Sequence, residues 1–167
     1  MGYTTTFNGE LVVTPVLNQK EIDYLTKFTN TRRMGRTKGP YYVEGSGYHG
    51  QGHDSDIINF NESGNQPGLW CKWVPNEDGT ALVWDEGEKF YDSAEWMKYL
   101  IDHFIGPDPI AKKKHPEEFS FLQGHTCNGN FEAWGEENGD HWMLTIEDNL
   151  VYTQNFIEIP GQKVLVV

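Results

Sequence analysis

Two histidines and two aspartates of the kind that ligate metals lie close together as His49-x3-His53-Asp54-x-Asp56. Imidazoles with neighbouring carboxylates are the donors of zinc and non-haem iron centres, so a metal-dependent hydrolase could be built on His49, His53 and Asp54. Imidazoles at this spacing meet only on a helix, and Gly50 and Gly52 argue against a helix here. A chelate formed in a loop would need a distant ligand such as His115, His125 or His141. The competing reading is an exposed polar loop. The sequence therefore assigns no metal, no cofactor and no catalytic residue.

The same stretch, Glu44 to Gly52, is rich in glycine, and backbone N–H groups in such loops can cradle a phosphate. A nucleotide or other small ligand held there would have Arg32, Arg33 and Arg36 as phosphate partners. Tyr48, His49, Gln51 and His53 would line the loop, and Tyr41 or Tyr42 would offer further stacking faces. The segment lacks the GxxxxGK[ST] pattern and does not run from a strand into a helix, so flexible tethering competes with this reading. Asp85, Glu86, Glu88 and Asp92 could form an acid/base pair or a divalent-ion site, but carboxylates grouped near one hairpin are more often a solvated face, here with Lys89 as partial counter-charge. No GxSxG, HExxH or CxxC motif appears. Cys71 and Cys127 read as buried, reduced thiols.

Charge narrows the choice. Thirteen basic residues against 25 acidic ones give −12, which argues against direct nucleic-acid binding and against anionic membranes. The acids are clustered. Seven lie between Glu77 and Glu95 with Lys89 alone among them, and six lie between Glu132 and Asp148 with no Lys or Arg. Glu77, Asp78, Asp85, Glu86, Glu88, Glu136, Glu137 and Asp140 are thus the expected contact residues for a basic partner. No run approaches a membrane span, and Met1 to Val13 lacks a basic-then-apolar leader, so a cytoplasmic location is expected.

These side chains must be positioned by elements legible in the sequence. Leu69 to Val74 has strand composition, Asn76-Glu77-Asp78-Gly79 has turn chemistry, and Thr80 to Trp84 reads as the returning strand. Trp70 and Trp84 on these arms are expected to fill the space beneath a helix bearing Trp96. That helix starts at Asp92 or Ser93, with Asp92 and Glu95 spaced as a capping box, and stops before Pro107. Tyr3 to Val13 reads as one strand with a bulge at Asn8-Gly9. A helix is expected from Gln19 to Thr31, with Asn18 and Glu21 as its capping box. Residues 32–65 form a glycine-rich mobile or ligand loop, and Cys127 to Trp134, His141 to Ile146 and Val151 to Ile159 read as strands. One echo, Phe7-Asn8-Gly9-Glu10-Leu11 against Cys127-Asn128-Gly129-Asn130-Phe131, suggests strands in equivalent positions. The order predicts a single α+β domain: a ferredoxin-like split β-α-β core with two helices on one face and extra C-terminal strands.

Tyr3-Thr4-Thr5-Thr6-Phe7, Asn65-Gln66-Pro67-Gly68-Leu69-Trp70-Cys71, Asp78-Gly79-Thr80-Ala81 and Trp84 to Asp92 followed by Glu95-Trp96 carry a resemblance. They resemble an uncharacterised actinobacterial and bacteriophage protein family with a GQPGLWCxWVPxxDGTAxxWDxGEKFYDxxEW segment. The resemblance departs between Ile105 and Gln123 and beyond Glu158. It implies a phage or mobile-element setting and transfers no catalytic residue. The leading expectation is therefore a non-enzymatic, acidic binding protein that inhibits a host protein, for example a nucleic-acid-processing or defence enzyme. A nucleotide-sequestering protein and a metal-dependent hydrolase are the alternatives.

Overall fold

Alternation of apolar and polar residues sets the long first strand. In the computed structural model, which describes residues 2–155 and 163–167 apart from the His49 side chain, β1 spans Thr6–Thr14. Phe7, Leu11 and Val13 point into the core, while Thr6, Asn8, Glu10, Val12 and Thr14 face the other way. Its partner β6 (Thr126–Trp134) runs antiparallel in unbroken register, from Thr6 opposite Trp134 to Thr14 opposite Thr126. The bulge expected at Asn8-Gly9 is therefore absent. Glycine serves a different purpose here: a Cβ on Gly9 would sit 2.2 Å from the Asn130 carbonyl oxygen, and one on Gly129 would sit 2.3 Å from that of Glu10. The sequence echo is thus a reciprocal close approach of two paired strands.

α1 (Gln19–Thr29) begins where expected, and Asn18 and Glu21 exchange both bonds of a capping box. After the 32–65 segment come β4 (Trp73–Pro75) and β5 (Ala81–Trp84), which pair Trp73 with Trp84 and Pro75 with Leu82. β4 is shorter than the sequence suggests, and Trp70 lies in the chain preceding it. α2 (Ser93–Leu100) continues through one π-turn, Ile101–Ile105. The capping box expected at its start does not form: Asp92 has φ 57°, and its side chain makes no capping bond. A short α3 (Ile110–Lys114) then leads to β6, β7 (His141–Glu147) and β8 (Leu150–Asn155). The final strand expectation overlaps β8 as far as Asn155, and residues 156–159 lie outside the described residues. A strand that sequence reading missed, β9 (Lys163–Leu165), follows.

The large sheet has the order β4-β5-β1-β6-β7-β8-β9 and is antiparallel throughout. β5 lies between β1 and β4, and α1 followed by the 32–65 segment separates those two strands in sequence. The chain is α+β, with β7, β8 and β9 extending the sheet beyond β6. Phe28 of α1 and Trp96, Met97 and Leu100 of α2 share one core with Phe7, Leu11, Val13, Phe131 and Leu144 of the sheet. Phe7 is the hub of its aromatic part, with Trp73 at 5.0 Å, Trp84 at 5.7 Å, and Phe90 and Trp142 at 5.9 Å, all edge-on. Each such pair contributes about 0.5–1.5 kcal/mol beyond area burial. The bulky residues thus sit beneath one face, and loops carrying charge emerge at the two ends.

Candidate functional site

The N-terminal segment gathers one set of carboxylates. β1 starts beside the end of β5 and beside the β6–β7 turn, so Tyr3 to Thr5 run between the loop after β5 and that turn. The Tyr3 hydroxyl donates to Asp140 Oδ2 at 2.5 Å and accepts from the Glu137 N–H at 3.0 Å. The Thr4 N–H donates to Glu136 Oε1 at 2.7 Å, and the Lys89 N–H donates to Thr4 Oγ1 at 3.3 Å. Across the same junction the Tyr3 N–H donates to the Tyr91 hydroxyl at 3.2 Å. The Asp140 carboxylate holds the phenolic proton and raises the Tyr3 pKa. Asp85, Glu86, Glu88, Glu136, Glu137 and Asp140 are therefore brought to one end of the sheet. None of the six forms an ion pair among the described residues. Partial burial raises the Asp85 pKa, the Gly87 N–H and Lys72 working against it.

Glu77 and Asp78 are elsewhere. They occupy the β4–β5 turn, which is tied to the far end of β1 by Val13 N–H to Thr80 O and Leu17 N–H to Gly79 O, both 2.9 Å. Nine residues of β1 separate the two ends, about 30 Å at strand rise. The expected eight-residue surface is thus six residues plus a remote pair. Hydrogen bonds from Thr80 lower the Asp78 pKa and shape the turn.

Next to the six-carboxylate end lies a cleft of about 980 Å³, between residues 61–72 and residues 88–92. Trp70 and Tyr91 supply aromatic faces, and Glu62, Glu88 and Asp92 supply carboxylates. Lys72 Nζ stands 5.8 Å from the Trp70 ring centroid. Four non-glycine residues on the flanking loops, Asn65, Glu86, Lys89 and Asp92, hold positive φ between 57° and 65°. Left-handed backbone outside glycine costs energy and persists only where the surroundings dictate it. Sequence reading missed this cleft because Trp70 counted as core and Tyr91 sits in a charged run. The recurrence of aromatic residues between acids was the available clue.

The 32–65 segment contains a two-stranded ribbon, β2 (Gly35–Arg36) with β3 (Ile57–Asn59), and a 3-10 turn at Tyr48–Gly50. Its arginines do not converge on an open phosphate site. Arg36 is fully buried, with Nη1 3.0 Å from both Asp54 Oδ2 and Asp56 Oδ1 and Nη2 3.0 Å from the Gly50 carbonyl. Arg33 donates to the Tyr42 carbonyl and lies 4.2 Å from the Phe28 ring centre, and burial pulls its pKa down to about 10. Arg32 donates to the Phe60 carbonyl at 3.1 Å and covers the same ring at 4.5 Å. Tyr48 is exposed, Gln51 is half-buried, and His53 stacks on Phe60 at 6.0 Å. Asp54, a metal candidate by sequence, accepts from Ser46 and Arg36, and these bonds pull its pKa down to about 2. His49 belongs to the 3-10 turn, but its side chain lies outside what is described. Among the described residues no group of three His, Cys, Asp or Glu could hold a metal ion.

Other titratable groups serve the interior. Glu21 is buried; its Oε2 lies 2.7 Å from His125 Nε2, while His125 Nδ1 faces the Pro15 carbonyl at 2.6 Å. Burial lowers the His125 pKa, but these two acceptors outweigh it and the net shift is upward. Cys71 and Cys127 are free and buried, with burial pushing both thiols up to about 12, so neither is activated as a nucleophile. Among the described residues no helix is long and apolar enough to cross a membrane. No family model matches the chain, and no curated protein or solved structure matches it either.

Proposed function

We propose that the protein is a non-enzymatic binding protein that docks onto a basic surface of another protein through the acidic end of its sheet. Its scaffold is read as a ferredoxin-like core carrying added strands. The observation that supports this reading is the Tyr3–Thr4 bridge, which bonds Asp140, Glu136 and the Glu137 N–H on one side and the Lys89 N–H and Tyr91 hydroxyl on the other, so that the loops carrying Asp85, Glu86, Glu88, Glu136, Glu137 and Asp140 meet at one end of the sheet. Among the described residues none of the six forms an ion pair. Fixed carboxylates at one end steer a cationic partner and raise its association rate, an effect that falls steeply with salt. Grouped carboxylates can also stand in for a phosphate backbone. A nucleic-acid-binding host enzyme is therefore the partner class that fits, and inhibition by occupying its basic groove is the action. The resemblance to actinobacterial and phage proteins supplies the setting, in which the host cytoplasm is the place of action.

The test is affinity capture from an actinobacterial lysate, with the captured proteins identified and then purified for direct titration. Wild type is expected to retain a protein with a basic nucleic-acid-binding surface at low salt and to release it as salt rises. Glu86→Lys, Glu88→Lys, Glu136→Lys and Glu137→Lys combined should abolish that binding, while Glu77→Lys with Asp78→Lys should weaken it far less. Equal binding by wild type and the fourfold variant refutes the proposal.

A further inference from the structure

The cleft beside the acidic end has a composition that selects its occupant. Its lining carries three carboxylates, Glu62, Glu88 and Asp92, against two ammonium groups, Lys72 and Lys89. Both lysines pack against neighbouring chain. Lys72 faces the Trp70 ring and, at Gly87, lies within 3.0 Å of where a Cβ would stand, beside Asp85. The stem of Lys89 packs against Gly2, where a Cβ would stand 2.4 Å from its Cδ. The net charge of the lining is negative, and it is accompanied by aromatic faces: Tyr91 is 53 % exposed, and Trp70 is half-buried. Aromatic rings flanked by carboxylates are the setting in which a guanidinium gains both a cation–π contact and charge-assisted hydrogen bonds. That Lys72 already lies over Trp70 shows the ring presenting its face to a cation.

A second observation concerns a donor. Trp96 is fully buried, yet its indole N–H has no hydrogen-bond partner among the described residues. It faces Gly68 on the cleft wall: a Cβ at Gly68 would lie 3.5 Å from Trp96 Nε1 and 3.8 Å from Asp92 Oδ2. A buried N–H without an acceptor is costly, but this one lies behind Gly68 with no accessible surface, so it belongs to the packing of the wall and is not a contact for the occupant. Aromatic faces with an excess of carboxylates select a cationic side chain of a partner protein over a nucleotide. A volume of about 980 Å³ accommodates such a residue with its neighbours.

We infer that this cleft is the anchor pocket for an arginine of the partner, its guanidinium between Trp70 and Tyr91 and paired with Glu62 or Glu88. This rests on the acidic-end reading above and deepens it, since the surrounding carboxylates would steer a basic segment into the pocket. The probe is an acetylated, amidated hexa-arginine peptide, titrated by calorimetry and followed through the indole N–H resonances of the full chain. Wild type should bind it, with the Trp70 indole signal moving. Trp70→Ala should weaken binding about tenfold or more, the effect of losing an interface hot spot. Because Glu62 and Glu88 are exposed and their replacement does not threaten folding, Glu62→Gln with Glu88→Gln should weaken it comparably. A hexa-glutamate peptide should not bind.

The outcomes separate the two readings. If Trp70→Ala and the double Gln variant bind like wild type while Glu136→Lys with Glu137→Lys binds more weakly, the acidic end stands and the anchor pocket is refuted. If the pocket variants lose binding while the Glu136 and Glu137 reversals change nothing at any salt, the pocket stands and the broader acidic-end reading is refuted. No binding by wild type refutes the pocket, as does a melting-point rise with ATP that Trp70→Ala removes.

Discussion

Charged residues are handled in opposite ways in the 32–65 segment and at the acidic end. In the first, Arg36 is matched to Asp54, Asp56 and the Gly50 carbonyl, and Arg32 and Arg33 are laid over Phe60 and Phe28. Cations and acceptors there are internal partners, so the charges organise a stretch that contains little regular structure. In the second, hydrogen bonds from Tyr3 and Thr4 hold together the loops that carry six carboxylates, and among the described residues no ion pair compensates them. One region therefore uses charge to hold the chain, while the other holds the chain in order to present charge. The difference teaches that a local excess of ionic residues says nothing about function until their partners are known.

Substitutions can break this contrast, and the largest effect is expected in the first region. Arg36→Ala leaves Asp56, 6 % exposed, without its counter-charge, and should destabilise the protein by about 3–5 kcal/mol in denaturant unfolding. A loss under about 1 kcal/mol would show that the arginine is dispensable to the segment. Acid should act in the same place. Because hydrogen bonds from Ser46 and Arg36 hold the Asp54 pKa down to about 2, the stability it contributes is complete above the unfolded value of about 4. That contribution is lost as pH falls toward 2. Hydrogen exchange of residues 35–59 should accelerate over this window, and Ser46→Ala, which brings the folded pKa toward the unfolded one, should shrink this pH-dependent part of the acceleration.

Effects at the acidic end are smaller in stability. Tyr3→Phe removes the bond to Asp140 and should lower stability only slightly, with faster exchange at Gly135 and His141 and little change elsewhere. Single reversals at Glu86, Glu88, Glu136 or Glu137 should alter stability by no more than about 0.5 kcal/mol each. A large destabilisation from any of them would mean that the carboxylate serves the fold.

Much of the scaffold was legible because its determinants are local. Asn18 and Glu21 announce the start of α1, and the apolar spacing from Trp96 to Ile105 marks α2. Alternation in β1 and β6 fixes which residues face the core. What escaped depends on contacts distant in sequence. Asp92 and Glu95 have the spacing of a capping box, but Asp92 adopts left-handed backbone next to the cleft and does not cap. Asn8-Gly9 looks like a bulge until the Asn130 carbonyl is placed against it. Arg32, Arg33 and Arg36 look like phosphate ligands until Phe60, Tyr42 and Asp56 fold against them. Tyr3 and Thr4, which assemble the acidic end, carry no functional signature at all. Their partners lie 132 to 137 residues away for Glu136 and Asp140.

The claim that the acidic end exists to meet a basic partner is tested most directly by titrating the purified captured host protein against wild type and the Glu86, Glu88, Glu136, Glu137 reversal, across a salt series. Equal melting temperatures for the two proteins, binding by wild type that fades with salt and no binding by the variant are the predicted result. Binding by the variant that matches wild type at every salt concentration would contradict it.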